Sequence, residues 1–192
     1  MPPCTLTLDD LKKLYEILKT AVTEGAEIEI AKVTKTPGQT DTDFDNLKRY
    51  AITLFKVTVQ IYGAKGDYIF TESPTMFNES SLPDTVTKIV FDNTQRFKAM
   101  LQQKEPTNKL HIEFDFSKQH ILDLSTMPSE PTPNKSFINI QGENDTWVSG
   151  TYNKIIEFLQ ERGNSHGLFH KRNIYDLFIF LFLNIDGVQI GV

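Results

Sequence analysis

The run Leu110-His111-Ile112-Glu113-Phe114-Asp115-Phe116 carries the residues best placed for chemistry. Read as a strand, it sends His111, Glu113 and Asp115 to one face and Leu110, Ile112, Phe114 and Phe116 to the other. Successive members of the polar set then stand about 7 Å apart. An imidazole and two carboxylates in such a row can contribute to a divalent-metal site or to general acid–base work. His120 and Asp123 would join them if the chain returned as a hairpin. The same alternation also describes an antiparallel sheet with one solvated face. His111, Glu113 and Asp115 are therefore the candidate catalytic set, and because spacing places no further ligand beside them, no metal is expected there.

Other chemistry-bearing types form weaker patterns. Asp41-Thr42-Asp43-Phe44-Asp45 opens like a calcium loop, but Asn46 and Ile52 stand where an EF-hand needs Gly and Glu. It reads as a solvated acidic loop. His166 and His170 have metal-ligand spacing on a helix, but Gly163 and Gly167 disfavour helix there, and a hinge is expected. Gly63-Ala64-Lys65-Gly66 reads as a hairpin turn rather than a phosphate cradle, because no helix follows it. No nucleophile-elbow, P-loop or Cys-His pattern occurs, and no cofactor is expected.

The most unusual segment is the C-terminal one. Leu177 to Leu183 is an unbroken apolar run just after the basic pair Lys171-Arg172. As a helix it places Ile174, Leu177, Phe178, Leu181, Phe182 and Ile185 on one stripe, with Ile179, Phe180 and Leu183 behind. A helix apolar on nearly every side must be buried, paired or set at a membrane. The twelve residues from Ile174 to Ile185 fall short of the roughly 20 that a spanning helix needs. Leu177, Phe178, Ile179, Phe180, Leu181 and Phe182 are therefore the candidate interaction residues, for a protein partner, a second copy or a membrane surface. The adjacent basic pair fits an inner-face position.

Composition narrows the classes further. The chain has 192 residues, 39% of them apolar and 23% charged, as in soluble domains with a real core. A net charge of −5, with no basic run beyond two residues, argues against nucleic acid as a partner. The single Cys4 excludes an internal disulfide and a cysteine zinc site. The first residues lack the charged and apolar regions of a signal peptide, so a cytoplasmic location is expected.

These residues must be positioned by recognisable elements. Thr7-Leu8-Asp9-Asp10 resembles a capping box opening a helix, with Leu8, Leu11, Leu14, Tyr15, Leu18, Ala21 and Val22 inward and Gly25 as its terminal cap. A short strand is expected around Ile28 and Ile30, then a loop from Thr34 to Asn46. Ala51–Tyr62 reads as a strand with a bulge near Leu54-Phe55, followed by strands Asp67–Glu72 and Thr85–Phe91 and a helix Thr94–Lys104. The second half reads as strand Leu110–Phe116, return strand Gln119–Leu124, a Pro-rich loop, strand Ser136–Gln141 and helix Asn144–Arg162. In that helix Val148, Tyr152, Ile155, Ile156 and Leu159 are expected inward. Trp147, in its first turn, is expected to lock helix onto sheet. Hairpin, strand and helix recur in the two halves, which suggests a duplicated unit.

The expected architecture is α+β: an antiparallel sheet with helices on one face, covering residues 1–165, then a basic hinge and apolar segment, 166–192. The expected role is a non-catalytic interaction or ligand-binding domain, on its own or as the cytoplasmic part of a membrane-associated protein. A small metal-assisted or acid–base enzyme using the polar face of the 110–116 strand is the alternative.

Overall fold

The computed structural model describes residues 4–116 and 135–163. Nine principal elements follow in order: α1 (Leu8–Ile30), α2 (Asp41–Ile52), β1 (Thr58–Gly63), β2 (Tyr68–Thr71), β3 (Val86–Asp92), α3 (Gln95–Met100), β4 (Lys109–Asp115), β5 (Phe137–Gln141) and α4 (Asp145–Gln160). The strands form one sheet in the order β2-β1-β3-β4-β5, with every neighbouring pair antiparallel. The fold is α+β, as the sequence predicts.

Register explains the layering. Val59 lies opposite Phe91, Phe91 opposite Ile112, and Ile112 opposite Ile138. One row thus crosses four strands with apolar side chains on the same face. Ile61, Ile89 and Phe114 make the next row. Both rows join Leu14, Leu18 and Val22 of α1 and Ile155 and Leu159 of α4 in one core.

The capping box at the start of α1 forms as expected: Asp10 N–H donates to Thr7 Oγ1 at 3.2 Å, and Thr7 N–H to Asp10 Oδ2 at 3.1 Å. Gly25 does not end this helix. Val22, Ala26 and Ile30 continue the buried stripe at fourfold spacing, so the expected strand at Ile28–Ile30 is the last turn of α1. The expected loop at Thr34–Asn46 contains the start of α2, whose N-cap is Thr40, with Asp43 N–H donating to Thr40 Oγ1 at 3.1 Å. Ala51 and Ile52 therefore belong to a helix, and β1 begins only at Thr58; the irregularity in β1 falls at Tyr62/Gly63, not at Leu54-Phe55.

The Gly63–Gly66 turn is a hairpin turn, closed by Gly63 N–H to the Asp67 carbonyl at 2.8 Å. The helix expected at 94–104 shortens to α3, and its Met100 is exposed. In α4 the buried stripe is Trp147, Thr151, Ile155, Phe158 and Leu159, so Tyr152 points outward instead of inward. The element order does not establish a duplication: α3 has six residues and buries none, whereas α4 has 16. The return strand 119–124, the Pro-rich loop and the boundary at residue 165 lie outside the described residues.

Candidate functional site on the open face of the sheet

The face away from the helices carries the candidate catalytic row. Its geometry follows from the same register: Asp92 lies opposite His111 and His111 opposite Asn139, Val90 opposite Glu113 and Glu113 opposite Phe137, and Lys88 opposite Asp115. The structure places His111, Glu113 and Asp115 on one face, as alternation requires, but each is engaged with a different neighbour.

His111 Nδ1 lies 2.9 Å from Asp92 Oδ2, and its ring stacks on Phe137 at 5.3 Å between centroids. Asp92 is 4% exposed, and its other oxygen, Oδ1, accepts from Thr94 N–H at 2.6 Å, Thr94 Oγ1–H at 2.7 Å and Gln95 N–H at 3.2 Å. Burial alone would push this carboxyl up. The hydrogen bonds from His111 and Thr94 outweigh it and hold the carboxyl below the usual range. An ionised carboxylate only accepts hydrogen bonds, so the neutral imidazole places its proton on Nδ1 and presents Nε2 as an acceptor. This is the orienter–base geometry of general-base sites.

Glu113 instead pairs with Lys88 Nζ at 2.8 Å. That hydrogen bond holds the Lys88 ammonium above its ordinary range; partial burial opposes the shift and the nearby Asp115 charge supports it. Lys88 also sits 5.9 Å from the Tyr62 ring centroid. Asp115 receives its backbone support from Ser136, whose Oγ accepts the Asp115 N–H at 2.8 Å. Among the described residues no group of three His, Cys, Asp or Glu side chains is gathered closely enough to hold a metal ion. Sequence reasoning missed Asp92. The signal was present in Asp92-Asn93-Thr94, an Asx-type turn sequence directly after a strand.

A second surface lies on α2. None of the 12 residues of this helix is fully buried; Phe44, Lys48 and Ala51 are half-buried, and Ala51 packs against the core. Leu47, Tyr50 and Ile52 are 47%, 53% and 36% exposed, and Val33, in the connection from α1 to α2, 44%. Asp41, Asp43 and Asp45 project from its first turns rather than converging as in a calcium loop: Asp41 pairs with Lys35 at 2.8 Å, and Asp43 Oδ2 accepts from Thr40 Oγ1 at 2.6 Å. Trp147 is core, as expected, at 5% exposure. The pair His166 and His170, and the candidate interaction residues Leu177, Phe178, Ile179, Phe180, Leu181 and Phe182, lie outside the described residues.

Fold and surfaces together define an α+β domain in which, among the described residues, the helices cover one face of the sheet. No helix among the described residues is long and apolar enough to cross a membrane. No protein-family model, no curated protein and no solved structure matches the chain.

Proposed function

We propose that this is a non-catalytic interaction domain whose contact surface is the exposed side of α2. The carrying observation is that Leu47 and Tyr50, three residues apart on one side of α2, stand in water at 47% and 53% exposure, while Phe44 and Ala51 make the half-buried side. Contiguous exposed apolar surface is the usual mark of a protein contact. The first turns of α2 carry Asp41, Asp43 and Asp45 and its later turns Lys48 and Arg49, so the basic part of a fitting apolar helical partner lies against the first turns. The compartment assigned is the cytoplasm, supported by the lone Cys4. Self-association, or attachment to an inner membrane face, would act through the 166–192 segment with its Lys171-Arg172 pair.

The test is fluorescence titration of the full chain with a synthetic helical peptide of leucine and lysine stripes. Binding that weakens with salt and is lost in Leu47→Asp and Tyr50→Asp supports the reading. Equal binding to the wild type and both variants removes α2 as the surface.

A second reading is favoured by the His111–Asp92 pair: a small acid–base or metal-assisted enzyme on the open face. Elemental analysis that finds a stoichiometric transition metal, lost in His111→Ala, would move that reading ahead of the first.

A further inference from the structure

We infer that β2 is a self-association edge: it pairs antiparallel with β2 of a second copy, Tyr68 of each opposite Phe70 of the other. The inference is independent of α2 and of residues 166–192. It rests on the hydrogen-bond phase of the sheet.

Two bonds fix that phase. Gly63 N–H donates to the Asp67 carbonyl at 2.8 Å, and Asn93 N–H to the Leu110 carbonyl at 3.3 Å. Bonded and non-bonded pairs alternate along an antiparallel ladder. Stepping from Gly63–Asp67, the pairs Ile61–Ile69 and Val59–Thr71 bond to each other. Stepping from Asn93 across β3 to β1 gives the same assignment. The N–H and C=O groups of Tyr68 and Phe70 therefore point away from β1, at the end of the sheet. Among the described residues none bonds to them.

This edge lacks the usual guards. Natural edge strands carry charged side chains, proline or a bulge. Tyr68–Thr71 has none of these, and its register with β1 is unbroken. Its outward face instead carries Tyr68 and Phe70, 55% and 48% exposed. Tyr68 rests on Tyr62, with ring centroids 5.2 Å apart.

A strand laid here must present donors and acceptors at the same two-residue spacing. A second β2 does so in one register. With Tyr68 opposite Phe70, the two-fold axis passes between the two Ile69 residues, and both equivalent pairs exchange their N–H···O bonds. A slip one way would call on the Glu72 carbonyl, which already accepts from Tyr15 Oη–H at 2.6 Å. A slip the other way would call on Gly66, whose φ of 88° turns the chain out of the strand. The favoured register sets each Tyr68 ring beside a Phe70 ring, and it puts Asp67 opposite Thr71, so no like charges face each other. The ends also match. At the turn end Lys65, paired with Asp84 at 2.8 Å, stands with Asp67, two carboxylates to one ammonium. At the far end Glu72 Oε2 lies 3.5 Å from Lys56 Nζ and 2.7 Å from Arg96 Nη1, two cations to one carboxylate. Antiparallel pairing brings the negative end of each copy to the positive end of the other.

The test joins association and register. An edge of four residues makes a weak contact, so sedimentation velocity of the full chain should show reversible dimers between about 10 and about 500 μM. Phe70→Lys alters an exposed side chain and, by symmetry, both aromatic pairs; it should lower the association constant about tenfold. Register is read by cysteine oxidation in chains carrying Cys4→Ser. Ile69→Cys faces its own copy in a non-bonded pair, about 4.5 Å between Cα atoms, within disulfide range. Tyr68→Cys meets its copy only diagonally, at about 7–8 Å, outside that range. Ile69→Cys should thus form covalent dimers about tenfold faster, although Tyr68 is the more exposed site. Equal or reversed rates overturn the inference, as does a dimer that Phe70→Lys leaves unchanged, which would use another surface. A chain monomeric at every concentration overturns it too. If that monomer binds a synthetic peptide of residues 66–73, the edge belongs to an extended peptide rather than to a second copy.

Discussion

Trp147 lies across Gly25. The indole Nε1–H donates to the Ala21 carbonyl of α1 at 2.8 Å, and a Cβ on Gly25 would stand 2.9 Å from ring atom Cζ2. The other side of the ring covers Gly142, whose added Cβ would meet Cε3 at 3.2 Å and collide with Asn108 Oδ1. Asn108 Nδ2 in turn donates to the Gly25 carbonyl at 2.7 Å. One side chain on α4 thus ties α1 to the end of β5, and the two glycines are the space it occupies.

Gly25→Ala should therefore destabilise the fold, although Ala is the better helix former by about 1 kcal/mol. Overpacking against a rigid ring costs about 1–3 kcal/mol and outweighs propensity. Gly142→Ala should cost at least as much, because backbone and Asn108 must both shift. Trp147→Ala should cost about 3–5 kcal/mol. Urea midpoints decide this, and a Gly25→Ala chain more stable than wild type would show that the ring yields freely.

That contact also marks where the sequence stopped being legible. Alternation located β3, β4 and β5 and the end of β1, and for β4 it also gave the two faces, because a one-residue slip there would bury charge. The capping box located α1. Gly25 looked like a helix stop because its local preference points that way, and nothing local announces a tryptophan 122 positions later. The acidic run in the first turns of α2 hid a helix because Asp favours loops and first helical turns alike, and with no fully buried residue no apolar stripe betrays it. Likewise, β4 revealed His111 through its own period, but Asp92 is brought to it by strand pairing, which periodicity does not encode.

Asp10 and Arg162 join the two ends of the described chain, with Nε to Oδ1 at 2.6 Å. Hydrogen bonds from Thr7 first, then from Arg162, hold the Asp10 carboxyl at about 2 against an ordinary 3.8. A depressed folded value means that the stabilisation is complete above the unfolded value. It is lost as pH falls from 3.8 towards 2. Allowing for solvent screening, the contribution is about 1 kcal/mol. Asp10→Asn should lower stability by that amount at pH 6, with the gap to wild type closing by pH 2. A gap that is constant with pH would mean that the cap geometry, not the charge, matters.

Gln102 and Gln103 hold φ of 51° and 68°, the left-handed region. There Gln103 N–H reaches the Lys98 carbonyl at 2.9 Å and closes α3. A side chain in this region costs about 1 kcal/mol, and glycine's looser unfolded chain offsets a similar amount. Gln103→Gly should leave stability within about 0.5 kcal/mol, whereas β-branched Gln103→Val should cost about 1–2 kcal/mol. Equal melting temperatures for the two variants would place the turn outside that conformation.

The His111–Asp92 pair makes a prediction that separates structure from chemistry. Asp92 satisfies three donors through Oδ1 and one ring nitrogen through Oδ2. Asp92→Ala strands all of them and should cost about 3 kcal/mol. Asp92→Asn can keep Oδ1 as the acceptor, which turns its amide nitrogen towards His111 Nδ1. Two donors cannot face each other, so the neutral imidazole should move its proton from Nδ1 to Nε2. Nitrogen-15 NMR of the ring above its titration range reads this directly: Nδ1–H in the wild type, Nε2–H in Asp92→Asn. His111→Ala should be milder than Asp92→Ala, because the carboxylate keeps its bonds from Thr94 and Gln95. If wild-type His111 already carries its proton on Nε2, then Asp92 does not orient it. The ring would then be a stacked partner of Phe137 on a solvated face, and the acid–base reading of that face would lose its support.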